Sequence, residues 1–249
     1  MHAALRHLWS IVSLCLLSSA AMSVEMSSNG QLSARIEPGA RDPTATTGVQ
    51  ELDGRGERSA LLYVPRSYTG RTPVPLIVML HGAGGRGSDS LRLMQSTADE
   101  RGVIILAPSS VDSTWDVITR RRYGTDVRPI DAAVEDVFTR YAVDPNHVAV
   151  AGFSDGASYA LSLGVMNGAL FTHVIAFSPG FMAPTRAQGQ PQIFISHGVK
   201  DDVLPIDRCS RALVPQLRRK KYNVNYVEFA GGHHVPDEIL NRAWDWFGT

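Results

Sequence analysis

Cysteine is nearly absent from this sequence: Cys15 and Cys209 are the only two among 249 residues. Cys15 falls in an N-terminal stretch that reads as cleaved, so the mature chain keeps one thiol and no internal disulfide. Cys209 has no histidine near it in sequence, which argues for packing or surface rather than nucleophilic work. Paired cysteines and an HExxH run are also missing, so no metal site is expected. Charge of one sign is lacking as well. With 24 basic and 24 acidic residues the formal net charge is zero, and no nucleic-acid partner is expected. What remains, 44% hydrophobic and 19% charged, describes a globular chain long enough for one sizeable α/β domain.

The start of the chain has the order of a secretory signal: Arg6 and His7, an apolar run from Leu8 to Leu17, then small residues with cleavage after Ala21 or Ser23. The run is too short to span a bilayer comfortably. Residues 1–23 are therefore expected to be a signal peptide, giving an exported product, periplasmic or secreted, with no stable membrane insertion after cleavage. Residues 24–50 are rich in Ser, Thr, Gly and Pro and read as a flexible leader, with one short edge strand at Ser33–Glu37. Residues 51–249 are expected to form a single α/β domain, with no internal repeat or second linker.

Within that domain strands and helices alternate. Leu76–Leu80 is a continuous apolar run fit for a buried parallel strand. Ser88 or Asp89 caps a helix to about Arg101, and Gly102–Ala107 is the next strand. Pro129 opens a helix whose apolar face is Ile130, Ala133, Val134, Val137, Phe138 and Tyr141. Strands are also expected at 57–65, 172–178, 192–196 and 223–229, with helices at about 207–221 and 236–247. This order predicts a mainly parallel central sheet with helices on both faces.

One stretch organises the rest. A buried strand from His147 ends in Gly152-Phe-Ser154-Asp-Gly156, and a helical pattern begins at once. In that context G-x-S-x-G is a tight elbow that thrusts the serine hydroxyl above the sheet, with glycines where a side chain would collide. Alone, the motif is a turn that contains a serine. Three other strand ends carry unusual chemistry: His81-Gly-Ala-Gly-Gly-Arg-Gly87, His197-Gly-Val-Lys-Asp201-Asp202, and Gly231-Gly-His233-His234. Ligands of open parallel sheets gather at the carboxyl ends of the strands.

With LHGAGG, GFSDGA, HGVKDDVLP and GGHH in this order, the chain resembles the α/β-hydrolase superfamily from about Leu61 onward. It looks most like its small carboxylesterase branches, the phospholipase/carboxylesterases and the secreted feruloyl or polyhydroxybutyrate depolymerase-like esterases. The resemblance implies an eight-strand-like sheet without a large lid domain, a Ser–His–Asp triad, no cofactor, and hydrolysis of small-molecule carboxylic esters through an acyl-enzyme. Carried onto this chain, Ser154 is the nucleophile, and His233 is favoured over His234 as its base. Asp201 orients the imidazole, with Asp202 as the fallback. The backbone N–H groups of Ala83 and Asp155 form the oxyanion hole, with Gly84 as the alternative to Ala83. His81 and His197 are expected to brace the loops beneath the site. Trp115, Phe181 and Met182 are candidates to line the substrate pocket, with core packing the alternative for each. The connection from Ser178 to Pro191 is short where the superfamily commonly inserts lids, so the resemblance implies an uncapped, solvent-open site, which favours soluble or small esters.

Other classes compete. Gly82-x-Gly84-x-x-Gly87 outlines a dinucleotide turn, but the next strand ends Leu106-Ala107-Pro108 without the acid that would hold a ribose. An acyltransferase or peptidase on the same scaffold, or a hydrolase-fold binding protein without catalysis, remains open at this stage. Sequence says nothing of oligomeric state.

Overall fold

The computed structural model describes residues 29–36, 46–52 and 56–248. The segment expected to be a signal, with Cys15, lies outside the described residues. Eight strands form one sheet: β1 Gly48–Glu51, β2 Leu61–Val64, β3 Val74–Leu80, β4 Ile104–Ala107, β5 Val143–Phe153, β6 His173–Phe177, β7 Gln192–Gly198 and β8 Val224–Phe229. Their order is β1-β2-β4-β3-β5-β6-β7-β8. β2 runs antiparallel to both β1 and β4, and from β4 to β8 every pairing is parallel. Between the strands lie the helices α1 Gly87–Arg101, α2 Asp116–Thr119, α3 Val127–Arg140, α4 Asp155–Met166, α5 Ser210–Arg219 and α6 Asp237–Phe247.

Side-chain alternation on β3 sorts the core into two layers. Leu76, Val78 and Leu80 pack with the apolar faces of α3, α4 and α5, while Ile77 and Met79 pack with α1 and α6 on the other side. Each such side chain, buried on a central strand, contributes about 1.5–3 kcal/mol relative to exposure. α4 is buried along its length from Gly156 to Met166. The helix directly behind the elbow is thus wedged into the core, and this fixes the serine that precedes it.

Several boundaries and one segment differ from expectation. The leader expected over 24–50 is packed where it is described. Leu32 and Ala34 are buried in the first core layer, and Gly48–Glu51 forms the edge strand β1. The edge strand expected at Ser33–Glu37 does not form in its described part, because the backbone N–H groups of Ser33 and Ala34 donate to the Asp131 carboxylate instead of to a neighbouring strand. β5 starts earlier than His147, since Val143 already pairs with Val74 before a register shift. α1 starts at Gly87, and Asp89 caps it by accepting the Arg86 N–H at 2.9 Å. α5 starts at Ser210, after a set of turns.

Candidate active site

The elbow follows β5 without a spare residue. Ser154 has φ 59° and ψ −120°, a conformation a non-glycine residue holds only when its surroundings enforce it. Here the enforcement is visible: its N–H donates to the Phe177 carbonyl at 2.9 Å, and α4 begins at the next residue. The glycines are required by close approach. A Cβ on Gly152 would lie 2.2 Å from the Gly156 carbonyl oxygen, and one on Gly156 would lie 2.3 Å from that of Leu80.

Ser154 is 9% exposed, and its hydroxyl donates to His233 Nε2 at 2.8 Å. The other nitrogen of that ring, Nδ1, lies 2.6 Å from Asp201 Oδ2. With a carboxylate on one side and a hydroxyl on the other, the neutral ring carries its proton on Nδ1 and accepts on Nε2. Asp201 is enclosed, and its second oxygen accepts the N–H groups of Val203 at 3.0 Å and Leu204 at 2.8 Å. Burial works against its charge. The hydrogen bonds from His233 and from the Leu204 backbone outweigh that and hold it below the ordinary carboxylate range. His234 and Asp202, the sequence alternatives, are exposed, and the His234 ring packs edge-on against Phe229 at 5.6 Å.

His197 touches the same carboxylate. Its Nε2 lies 2.8 Å from the Leu204 carbonyl and 3.2 Å from Asp201 Oδ2, so Nε2 carries the proton and Nδ1 accepts from the Ser210 hydroxyl at 2.7 Å. Burial keeps this ring neutral, lowering its pKa against the pull of the Leu204 carbonyl. His81 has the opposite tautomer. Nε2 accepts the Ser110 N–H at 2.9 Å, leaving Nδ1–H to donate to the Gly82 carbonyl at 2.7 Å.

Beside the serine, Gly82 to Gly85 form a tight turn closed by Gly85 N–H to Gly82 O at 3.1 Å, with Gly84 at φ +72° where a type II turn needs glycine. Gly84 N–H is taken by the Ser113 carbonyl at 2.7 Å, which removes it as an oxyanion donor. Among the described residues the N–H groups of Ala83 and Asp155 have no acceptor, and the Gly82 backbone comes up against Ser154 and Phe153.

The pocket candidates divide. Trp115 does not line a pocket: it is fully buried, its indole N–H donates to the His81 carbonyl at 2.9 Å, and its ring stacks on Tyr159 at 5.1 Å. A polar handle satisfied from below, with an aromatic partner alongside, makes it part of the support beneath the site. Met182 leans against the first core layer, half-buried. Phe181 is half-buried next to Gly180, whose N–H donates to Ser158 Oγ at 2.9 Å, one turn along α4 from the elbow. The segment between β6 and β7 holds no helix or strand over the site. Sequence reading missed Ser113 and Thr114, which meet the site from one side, and Asp116 and Asp126, which lie buried behind them. No group of three or more His, Cys, Asp or Glu among the described residues is arranged to hold a metal.

A sheet in this strand order, with a positive-φ residue between β5 and its helix, is the α/β-hydrolase fold. The chain's likenesses lie on the esterase side: residues 126–247 match the phospholipase/carboxylesterase family model. The chain is 30% identical over 176 residues to probable feruloyl esterase C of Aspergillus niger, covering 67% of this chain and 62% of that protein. Feruloyl esterase C of Emericella nidulans matches with the same identity and coverage. The chain thus spans about 62% of the length of these curated relatives. Among solved structures, esterase PE8 superposes with a TM-score of 0.62 at 21% identity, covering 80% of this chain and 98% of that one, a likeness of fold.

Proposed function

We propose that this chain is a serine carboxylesterase that works through an acyl-enzyme on small or soluble esters. The observation that carries the proposal is the His233 ring bridging Ser154 Oγ at 2.8 Å and Asp201 Oδ2 at 2.6 Å. As the ester carbonyl approaches, Ser154 Oγ forms a bond to its carbon and gives its proton to His233 Nε2. The carbonyl π pair moves to oxygen, where the N–H groups of Ala83 and Asp155 receive the charge. Asp201 stabilises the imidazolium without taking a proton from it. When the intermediate collapses, the C–O bond to the alcohol breaks and His233 protonates the leaving oxygen. Water, deprotonated by the same ring, then releases the acid and restores Ser154.

The 178–191 segment, which holds no helix or strand, suits an ester that need not be drawn beneath a lid. Similarity to feruloyl esterases supports including esters with an aromatic acyl group among the substrates. The basic, apolar, small-residue order of residues 1–23 supports export. The test is hydrolysis of p-nitrophenyl acetate, p-nitrophenyl butyrate and methyl ferulate by the native chain and by Ser154→Ala. The account expects the variant to lose on the order of 10⁴-fold or more in turnover. Equal rates for the two proteins contradict it.

A further inference from the structure

Between β4 and α3 the chain makes an irregular excursion that no part of the triad uses. Two carboxylates are buried at its base: Asp116 is 1% exposed and Asp126 is 2% exposed. Their hydrogen-bond partners among the described residues are neutral. Asp126 Oδ1 accepts the Val111 N–H at 2.7 Å, and Asp126 Oδ2 accepts the Asp116 N–H at 2.6 Å. Asp116 Oδ2 accepts the N–H groups of Gly124 at 2.8 Å and Asp126 at 2.9 Å, while its Oδ1 accepts the Tyr159 hydroxyl at 2.9 Å. One side chain therefore holds both ends of residues 111–116, one oxygen for each end. Burying carboxylates without a cation is expensive, and a fold retains them only where their hydrogen bonds are well satisfied.

The loop so clamped reaches the site at both halves of the proposed oxyanion hole. At its tip the Ser113 carbonyl accepts the Gly84 N–H at 2.7 Å, which fixes the turn that carries Ala83. The neighbouring Thr114 hydroxyl donates to Asp155 Oδ2 at 2.7 Å, on the residue whose own N–H is the second donor. From the same loop, Ser110 N–H and the Trp115 indole N–H bond the ring and the carbonyl of His81, at 2.9 Å each. The two oxyanion donors lie on separate segments, and residues 111–116 hydrogen-bond to both.

We propose that Asp126 is a positioning residue for the oxyanion hole, acting through the 111–116 loop that it closes on the Ala83 turn and on Asp155. The inference rests on the serine-esterase reading and adds to it a residue that does not touch substrate. The chemistry of the clamp makes an asymmetric expectation. In Asp126→Asn one oxygen becomes an NH2 group, which must face a backbone N–H whichever way the amide turns. In Asp116→Asn the NH2 can face Tyr159, whose hydroxyl rotates and accepts, so the carbonyl still serves Gly124 and Asp126.

The experiment compares turnover and KM for p-nitrophenyl butyrate with the inhibition constant of an alkyl trifluoromethyl ketone, whose adduct with Ser154 places an oxyanion in the hole. Asp126→Asn is expected to lower kcat about 10- to 100-fold and to weaken the ketone by a matching factor, with KM within about twofold. Asp116→Asn is expected to recover most of both. Thr114→Val, which removes only the contact to Asp155, should shift kcat and ketone inhibition together by a few fold. It decides the matter if Asp126→Asn does not fold. A folded Asp126→Asn with unchanged ketone inhibition overturns the proposal. So does Thr114→Val with ketone inhibition within twofold of the native chain. Failure of the underlying reading is told apart by Ser154→Ala: retained hydrolysis there dismisses the esterase account before Asp126 is considered.

Discussion

Two histidine–aspartate pairs sit at opposite ends of β5, with nearly the same hydrogen bond. His233 Nδ1 meets Asp201 Oδ2 at 2.6 Å beyond the carboxyl end, and His147 Nδ1 meets Asp144 Oδ2 at 2.7 Å at the amino end. What lies behind each ring separates them. Behind His233 is the Ser154 hydroxyl, and Asp201 is shut away from water. Behind His147 there is a stack: His173 lies parallel at 5.9 Å, and Phe247 stands edge-on at 5.8 Å. The Asp144 side chain is partly open to solvent and three residues away along the same strand. The His–Asp bond alone is therefore a local convenience. On the proposed function it becomes a reactive unit when a strained turn delivers a hydroxyl to the far nitrogen and the carboxylate is held by backbone N–H groups in a dry place.

The sharpest way to break this comparison is to delete the ring at each end. His233→Ala and Asp201→Asn are each expected to lose on the order of 10⁴-fold in kcat on p-nitrophenyl butyrate with little change in melting temperature. His147→Ala is expected to leave kcat within about twofold and to lower stability by roughly 1 kcal/mol, read from urea unfolding. A large loss of turnover at His147 would erase the distinction between the two ends. At the carboxyl end the neighbours sharpen it further. His234→Ala and Asp202→Asn, both exposed, should each change kcat by less than about threefold.

The amino end should reveal itself through pH instead. His173, stacked on His147 and edge-on to Trp246 and Phe247, has its pKa lowered from 6.5 to about 4, by burial first and by the neighbouring His147 second. A folded value depressed below the unfolded one contributes stability that is present above pH 6.5 and is lost as pH falls toward 4. Asp126 works the other way. Burial raises it from 3.8 to about 6, so its contribution is full below pH 3.8 and is lost as pH rises through 6. Comparing His173→Phe with the native chain cancels the Asp126 part. The variant is expected to lose less melting temperature between pH 7 and pH 4.5, with kcat unchanged. Parallel acid profiles for the two proteins would remove the packing account of that cluster.

The features that sequence made legible are those with a local physical signature. Continuous apolar runs mark Leu76–Leu80 and Ile104–Ala107 as buried parallel strands, and the glycines at 152 and 156 mark a turn with no room for side chains. β1 was not legible, because Gly48–Glu51 is a short edge strand, half in water, with no apolar run. The early start of β5 has little local signature, because Asp144 and Pro145 are poor strand formers although Val143 pairs with Val74 before the register shift. Around the site, the preference for His233 over His234 comes from the family resemblance, which places the histidine directly after the glycines, and not from a local physical signature. Asp116 and Asp126 gave no signal at all. A carboxylate in an irregular stretch reads as solvated, and only the folded loop reveals the backbone N–H groups that it serves. For Trp115 sequence leaves pocket wall and core packing both open, because an aromatic ring in a loop suits either; its full burial and its N–H bond to the His81 carbonyl place it in the packing beneath the site.

The most direct measurement is covalent. A fluorophosphonate probe reacts with a serine only where a base removes its proton and donors receive the phosphoryl oxygen. The account predicts one adduct per chain, found on Ser154 by peptide mass spectrometry, absent after Ser154→Ala and strongly slowed in His233→Ala. An adduct on another residue, or equal labelling of the Ser154→Ala chain, would contradict it.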